Sequence, residues 1–143
     1  MNKQASSGWL LLAATVLVAG CSQDRDRQAI ELLTRDFNHA VARNDSKAIR
    51  GLCTSDADLS ALEKRPPKRL PFDERTALTL TIKSIDLHGF RSAEVEAVQS
   101  DASPMMGTSR QWTCHFGLKR SWKGWRIASY RETPEVVTST PRG

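Results

Sequence analysis

Apolar and polar residues divide the chain into an uncharged apolar run, a segment with helical spacing and a segment of alternating residues. The apolar run, WLLLAATVLVA, occupies residues 9–19 and carries no charge. About 20 apolar residues are needed to cross a bilayer as a helix, so this shorter run is typical of the hydrophobic region of a secretory signal. The pattern therefore predicts export and not a permanent membrane-spanning helix.

A long amphipathic helix is predicted from Asp24 to Arg43, because apolar residues recur there every three or four positions. Its buried side would carry Ile30, Leu33, Phe37, Ala40 and Val41, and its solvent side Glu31, Arg35, Asp36 and Asn38. Asn44 and Asp45 would end this helix, and Asp45 can cap a second short helix in SKAIRGLC. A third short helix is predicted around Ala57–Lys64.

Beyond the proline-rich loop EKRPPKRLPF (63–72), apolar and polar residues alternate, which predicts four strands. The first carries Leu78, Leu80 and Ile82 and then Ile85 and Leu87, and this change of phase predicts a bulge near Lys83-Ser84. The later apolar faces are Ala93, Val95 and Ala97; then Trp112, Cys114, Phe116 and Leu118; and finally Trp125, Ile127 and Ser129. The tail, residues 133–143, is rich in Pro, Thr and Ser and is predicted to be flexible.

Helices followed by antiparallel strands are typical of an α+β domain. The segment AIELLTRDFNHAVARNDSKAIRGLCTSDA resembles the opening of nuclear transport factor 2-like domains, and RQWTCHFGLKRSWKGWRIASYRE resembles their closing hairpin. The resemblance covers about residues 24–132 and places the domain at 28–132. It implies a cone, in which N-terminal helices pack in a curved antiparallel sheet around either a small-molecule pocket or a filled interior.

The apolar run ends at Val18-Ala19-Gly20-Cys21, which resembles the lipobox of bacterial lipoproteins. The resemblance implies that residues 1–20 are a signal peptide, that Cys21 carries diacylglycerol and a further acyl chain such as palmitate, and that residues 21–27 form a tether. Ser22, in place of Asp, would suit the outer membrane of a Gram-negative cell. The alternative is cleavage by the ordinary signal peptidase, which would also export the domain.

Two further cysteines, Cys53 and Cys114, remain as an even pair once Cys21 is assigned to lipid. Exported cysteines usually pair, so a Cys53–Cys114 disulfide is predicted, closing a loop of about 60 residues. A reactive or metal-binding role is the weaker alternative, since there is no C-x-x-C spacing and His115 would point to the opposite strand face.

The composition allows one globular domain: 143 residues, 39% of them hydrophobic and 26% charged. The formal net charge of +5 comes from 21 basic and 16 acidic residues. This mild excess permits contact with anionic lipid. It does not predict a nucleic-acid partner, which usually requires a concentrated basic stripe or a recognisable module.

Four residues could support acid–base catalysis: Asp36, His39, His115 and Tyr130. Asp36 and His39 share a helical face, but this face lies largely off the predicted buried side. His115 and Tyr130 are out of phase with the apolar residues of their strands, so they are predicted to point away from the interior. The sequence thus predicts no catalytic residue, no metal site and no cofactor, although the resembled superfamily includes ketosteroid isomerases and polyketide cyclases.

The candidate pocket residues are Phe37, Trp112, Phe116 and Trp125, which share the predicted interior faces and would either fill the cone or line a cavity in it. The leading hypothesis is a membrane-anchored envelope lipoprotein that acts as a non-enzymatic accessory or interaction domain. Its partners would be membrane lipid, through Cys21, and an envelope protein. The alternatives are a cone that binds a small apolar ligand, and an enzyme of the isomerase or cyclase type.

Overall fold

The computed structural model describes the backbone of residues 7–63, 78–103, 108–133 and 136–139, and side chains within residues 22–63, 79–100 and 111–133. Its helices are α1 (Ser7–Ala42), α2 (Ser46–Leu52) and α3 (Ser60–Glu63). Its strands are β1 (Cys53–Asp58), β2 (Leu78–His88), β3 (Ser92–Ser103), β4 (Thr108–Ser121), β5 (Gly124–Glu132) and β6 (Val136–Ser139). Most of the predicted loop at 63–72 and the connection at 104–107 lie outside the described residues.

The strands form one sheet in the order β1-β5-β4-β3-β2, and β6 pairs with the start of β4. All pairings are antiparallel except that of β1 with β5, which is parallel. The predicted α+β class is confirmed. Sequence reasoning missed β1, and the prediction of a flexible tail is wrong for Val136–Ser139, because these residues pair with β4.

Turns define one end of the sheet, which we call the hairpin end. Residues 89–91 connect β2 to β3 there, and Trp122 and Lys123 connect β4 to β5. Gly124 has a φ of 104°, a conformation that side chains disfavour, and this allows the tight return of the chain into β5. The opposite end of the sheet is called the far end.

Helix α1 packs on the sheet through Ile30, Leu33, Phe37 and Ala40, as predicted. Its buried face is wider than the apolar stripe, because Thr34 and Asn38 are also buried. Asn38 was predicted to lie in solvent, and this prediction is wrong. The curved sheet reaches around the helix and covers polar positions beside the apolar ones. Asp45 caps α2 as predicted, since its Oδ1 accepts a 3.0 Å hydrogen bond from the Ala48 amide.

Two bulges set which strand residues face the helix. On β2, Ile82 pairs with Ala97 and Ser84 with Glu96, so Lys83 is the extra residue and the predicted bulge is confirmed. On β5, the pairing passes from Leu118–Ile127 to Gly117–Ser129, which leaves Ala128 extra. This second bulge turns Tyr130 inward, where it is 3% exposed. The prediction that Tyr130 points away from the interior is wrong for that reason.

The predicted tether is part of the folded domain. Residues 22–27 continue α1, and within them Asp26 is buried and Arg27 donates a 2.7 Å hydrogen bond to the Ile85 carbonyl. The domain therefore begins before residue 28. In the described part of the chain, no helix carries an apolar stretch long enough to cross a membrane.

Cys53 and Cys114 are not bonded to each other in the structure. Cys53 pairs with Ile127 on β5, and Ile127 pairs with Leu118 on β4, four residues from Cys114. The two cysteines thus lie two strands apart, about 10 Å across the sheet, and they are further offset along it. A disulfide needs Cα atoms within about 7 Å, so this fold does not form the predicted bond.

Candidate functional site

Three aromatic rings fill the middle of the cone. The ring centroid of Phe37 on α1 lies 5.6 Å from that of Phe116 and 5.2 Å from that of Tyr130. The centroids of Phe116 and Tyr130 are 5.0 Å apart, so the three rings touch one another with edge and tilted geometry. Phe37 and Phe116, two of the candidate pocket residues, therefore belong to the packed core.

A buried polar network, the Gln99 cluster, lies between these rings and the far end. It consists of Asn38, Gln99, Trp112, Cys114, Tyr130 and Glu132. Gln99 is 2% exposed, and its Oε1 accepts a 2.8 Å hydrogen bond from Trp112 Nε1. Gln99 Nε2 donates to Asn38 Oδ1 on the helix. One amide side chain thus ties β3 to both α1 and β4.

Tyr130 extends the network towards a carboxylate. Its hydroxyl donates a 2.6 Å hydrogen bond to Glu132 Oε1 and lies 3.2 Å from Cys114 Sγ. Cys114 Sγ in turn lies 3.8 Å from Gln99 Oε1. This arrangement offers donors and acceptors at one place inside a largely apolar cone, which is the kind of surface that orients a small ligand.

The sequence contained a signal for part of this cluster. Gln99 continues the alternation of Ala93, Val95 and Ala97, so its side chain shares their inward face. Glu132 is in phase with Tyr130, but the bulge at Ala128 hid the inward direction of both. Asn38 had no such signal, since its burial depends on the curvature of the sheet.

A second buried polar group, Asp26, closes the cone at the hairpin end. Its Oδ1 accepts a 3.2 Å hydrogen bond from Trp125 Nε1, and its Oδ2 lies 3.1 Å from Arg120 Nη1. The Arg120 guanidinium also lies 5.5 Å from the centroid of the Trp125 ring. Trp125, another of the candidate pocket residues, is therefore fixed in the core. The remaining candidate, Trp112, is partly buried.

Of the four candidate acid–base residues, Tyr130 lies inside the cone, and the other three are exposed and apart from it. Asp36 and His39 are exposed on α1, and His115 is exposed on the outer face of the sheet. His115 borders a shallow groove of about 380 Å³ with Glu96 and Arg131. Within the described residues, no group of three or more His, Cys, Asp or Glu side chains could hold a metal ion.

Cys53 borders another open groove, of about 470 Å³, beside the β4–β5 turn. Burial raises the pKa of the Cys53 thiol to about 11, and the nearby charge of Arg126 only partly offsets this effect. A thiol with so high a pKa is almost fully protonated at neutral pH, and it is the thiolate that reacts. Cys53 is therefore not an activated nucleophile.

Comparison with solved structures identifies the fold. A ketosteroid isomerase-like protein from Erwinia carotovora atroseptica matches with a TM-score of 0.53 and 21% identity, over 75% of this chain and 96% of that one. A nuclear transport factor 2-like protein of unknown function from Shewanella baltica OS155 matches with a TM-score of 0.52 and 18% identity, over 77% and 95%. The protein has the nuclear transport factor 2-like fold.

A provisionally assigned aromatic ring hydroxylase from Novosphingobium aromaticivorans also matches, with a TM-score of 0.50 and 19% identity, over 80% of this chain and 94% of that one. No protein-family model matches the sequence, and no curated protein matches it either. At these identities the likeness establishes the nuclear transport factor 2-like fold alone, and the function has to be argued from the residues of this chain.

Proposed function

We propose that the protein is an exported lipoprotein, anchored to a bacterial membrane through acylated Cys21, whose nuclear transport factor 2-like domain is a non-enzymatic binding module. The observation that carries the proposal is the seam at Val18-Ala19-Gly20-Cys21, where the apolar run of residues 9–19 ends at Ala19 and is followed by Gly20 and Cys21. Two or more acyl chains, at about 0.8 kcal/mol for each buried CH₂ group, make such an anchor stable, whereas a single chain would bind only marginally and reversibly.

The position of Cys21 in the fold supports an anchor. Cys21 lies in α1, and the same helix continues without a break into the core of the domain. Asp26, only five residues later, is held by Trp125 and Arg120. An acyl chain on Cys21 would therefore be attached to a rigid element and would hold the domain directly against the bilayer.

The side-chain chemistry favours binding over catalysis. The exposed Asp36, His39 and His115 lie apart from the polar groups inside the cone. Inside it, the groups of Gln99, Trp112 and Tyr130 are engaged in hydrogen bonds with their neighbours. General acid–base catalysis needs a titrating group within hydrogen-bond reach of a substrate, and the polar groups of this buried network are bonded to one another instead.

Replacement of Cys21 by Ser tests the anchor. We expect the wild-type protein to sediment with membranes and to carry the mass of its acyl chains on Cys21. The Cys21→Ser variant should lack the acyl mass and should not be cleaved before residue 21. Ser22→Ala, a change at the neighbouring residue, should retain both the acyl mass and the cleavage. An unmodified wild-type Cys21 would refute lipidation, and a periplasmic soluble product would favour the ordinary signal peptidase instead.

A second candidate function, binding of a small ligand in the cone, is favoured by the Gln99 cluster. Anilinonaphthalene sulfonate, an apolar probe with one anionic end, should bind near Trp112 and quench its fluorescence. The Gln99→Leu variant should lose this binding, while Gln111→Leu on the exposed side of β4 should keep it. Equal binding by both variants would place the probe elsewhere, provided that urea denaturation finds both variants folded.

A further inference from the structure

Two large aromatic side chains project from the hairpin end. Trp122 is 90% exposed and Phe90 is 77% exposed, each at the tip of its turn. The turns are neighbours, because the Arg120 amide donates a 2.8 Å hydrogen bond to the Arg91 carbonyl. Exposed tryptophan is favoured where protein meets the headgroup region of a membrane, since its ring is apolar and its N–H is polar.

Basic side chains surround Trp122. Lys123 Nζ lies 5.0 Å from the centroid of the Trp122 ring. The groove of about 470 Å³ beside the turn is lined by Arg50, Lys123 and Arg126, together with small hydroxyl side chains. Among the ion pairs of the described residues, none involves these three cations. Guanidinium and ammonium groups that make no ion pair within the described residues are suited to bind phosphate.

Of the acidic side chains near this end, Asp26 and Glu94 lie beside basic groups, whereas Asp24 and Asp86 are exposed. Asp26 is paired with Arg120 at 3.1 Å, and Glu94 lies 3.4 Å from His88. The chain also carries a net charge of +5. In the groove beside Trp122 the charged lining residues are all basic, so this surface presents positive charge next to an exposed aromatic ring, which complements an anionic bilayer.

The direction of α1 brings this end of the domain to the membrane. Arg27 Nη1 donates to the Ile85 carbonyl near the end of β2, whereas Arg35 Nη1 donates to the Leu80 carbonyl near its start. The N-terminal side of α1 therefore points to the hairpin end. Cys21 lies five residues before Asp26, about 7.5 Å further along the helix axis.

Trp122 reaches a similar level on the sheet side. Asp26 is hydrogen-bonded to Trp125, and the turn residue Trp122 precedes Trp125 by three residues, which span at most about 10 Å. An anchor at Cys21 and the exposed ring of Trp122 therefore lie at comparable heights. Both would meet the same bilayer surface.

We infer that the hairpin end docks on an anionic bilayer, with Trp122 and Phe90 in the headgroup region and Arg50, Lys123 and Arg126 against lipid phosphates. The inference rests on the proposed anchor at Cys21, which brings this end to the membrane. Docking fixes the orientation of the domain, so that the far end and the Gln99 cluster face away from the bilayer.

Quenching by lipids with brominated acyl chains tests the docking on the purified full chain, reconstituted in vesicles. The signal of Trp122 is the difference between the wild-type protein and Trp122→Phe. We expect strong quenching of Trp122 in vesicles of equal parts phosphatidylglycerol and phosphatidylcholine, and much weaker quenching in phosphatidylcholine alone. Each basic side chain removed should lower the ratio of docked to undocked protein about fivefold.

Charge reversal at the two ends of the domain provides the matched control. Lys123→Glu with Arg126→Glu should lower that ratio by more than tenfold. Arg43→Glu with Lys47→Glu changes the charge equally at the far end, where both residues are exposed, and should leave the ratio within twofold. Equal losses from both pairs would show attraction by net charge alone and would overturn the inference.

The mass of the same protein preparation shows whether the chain is acylated, so that failure of the docking can be told apart from failure of the anchor. An acylated chain whose Trp122 is not quenched in anionic vesicles would refute docking and leave the anchor standing. A chain without acyl mass whose Trp122 is quenched would refute the anchor and leave docking standing.

Discussion

Trp125 Nε1 donates a 3.2 Å hydrogen bond to Asp26 Oδ1 across 99 residues of sequence. The same carboxylate pairs with Arg120, so one buried group joins the middle of α1 to both strands of the β4–β5 hairpin. This relationship makes residues 22–27 part of the domain. It also couples the proposed anchor at Cys21 to the surface that carries Trp122.

Asp26→Ala should destabilise the domain by about 2–3 kcal/mol, because it leaves the buried Trp125 N–H without its acceptor and removes the partner of Arg120. Asp26→Asn retains an oxygen acceptor and should cost less. Urea denaturation followed by tryptophan fluorescence measures the difference. Asp24→Ala, an exposed change two residues away, should stay within about 0.5 kcal/mol of the wild type. Similar losses for Asp24→Ala and Asp26→Ala would contradict the role given to Asp26.

Gln99→Leu should lower the free energy of unfolding by about 2–4 kcal/mol, since Asn38 and Trp112 each lose a buried partner while the volume at residue 99 is nearly unchanged. The exposed Gln111→Leu is the matched control on the neighbouring strand and should be close to neutral. Thermal and urea denaturation both report the effect. A neutral Gln99→Leu would mean that the cluster does not tie α1 to the sheet.

Gly117→Ala should be mildly destabilising, by about 1 kcal/mol, because a methyl group there would collide with the Ser129 hydroxyl opposite it. Ser129→Ala removes that hydroxyl, so the loss should disappear when Gly117→Ala is made in the Ser129→Ala background. The unfolding free energies of the wild type, the two single variants and the double variant form a double-mutant cycle. If Gly117→Ala lowers the free energy of unfolding equally in the Ser129→Ala background, the effect comes from the lost backbone freedom of Gly117 and not from the contact with Ser129.

Cys53 should make stability depend on alkaline pH. The pKa of its thiol is about 11 in the folded protein and about 9.0 in the unfolded reference, so the unfolded chain releases the proton first. The Cys53 contribution to stability is fully present below pH 9 and is lost as the pH rises from about 9 to 11. Cys53→Ser should remove this part of the pH dependence, which denaturation at several pH values would reveal.

Thiol labelling distinguishes the observed arrangement from a disulfide. In the native protein, Cys114 should resist alkylation because it is buried, and Cys53 should react slowly at neutral pH because its thiol is protonated. After denaturation without reductant, both should be labelled fully. Protection of both thiols in the denatured, unreduced chain would show that Cys53 and Cys114 do form the predicted disulfide. That bond would require a rearrangement of β1 relative to β4.

The two bulges of the sheet show which features of the strands can be predicted from the sequence and which cannot. The alternation around Leu80 and Ile82 and its slip at Lys83 predicted the first bulge, because apolar residues flank it on both sides. The bulge at Ala128 was invisible, because Ser129 follows Ile127 at the expected position and Tyr130 is amphipathic. A single missed residue reversed the predicted direction of Tyr130 and concealed its bond to Glu132.

The sequence by itself determined the helical and strand periods, the cap at Asp45, the apolar core and the seam at Cys21, because each depends on neighbours within a few positions. Only the tertiary structure decided that Gln99, Asn38 and Trp112 meet, that Asp26 lies under Trp125, and that Cys53 is two strands from Cys114. These outcomes depend on sheet order, register and curvature. Such properties arise from pairing between residues far apart in the chain, for which local hydrophobic patterning carries no signal.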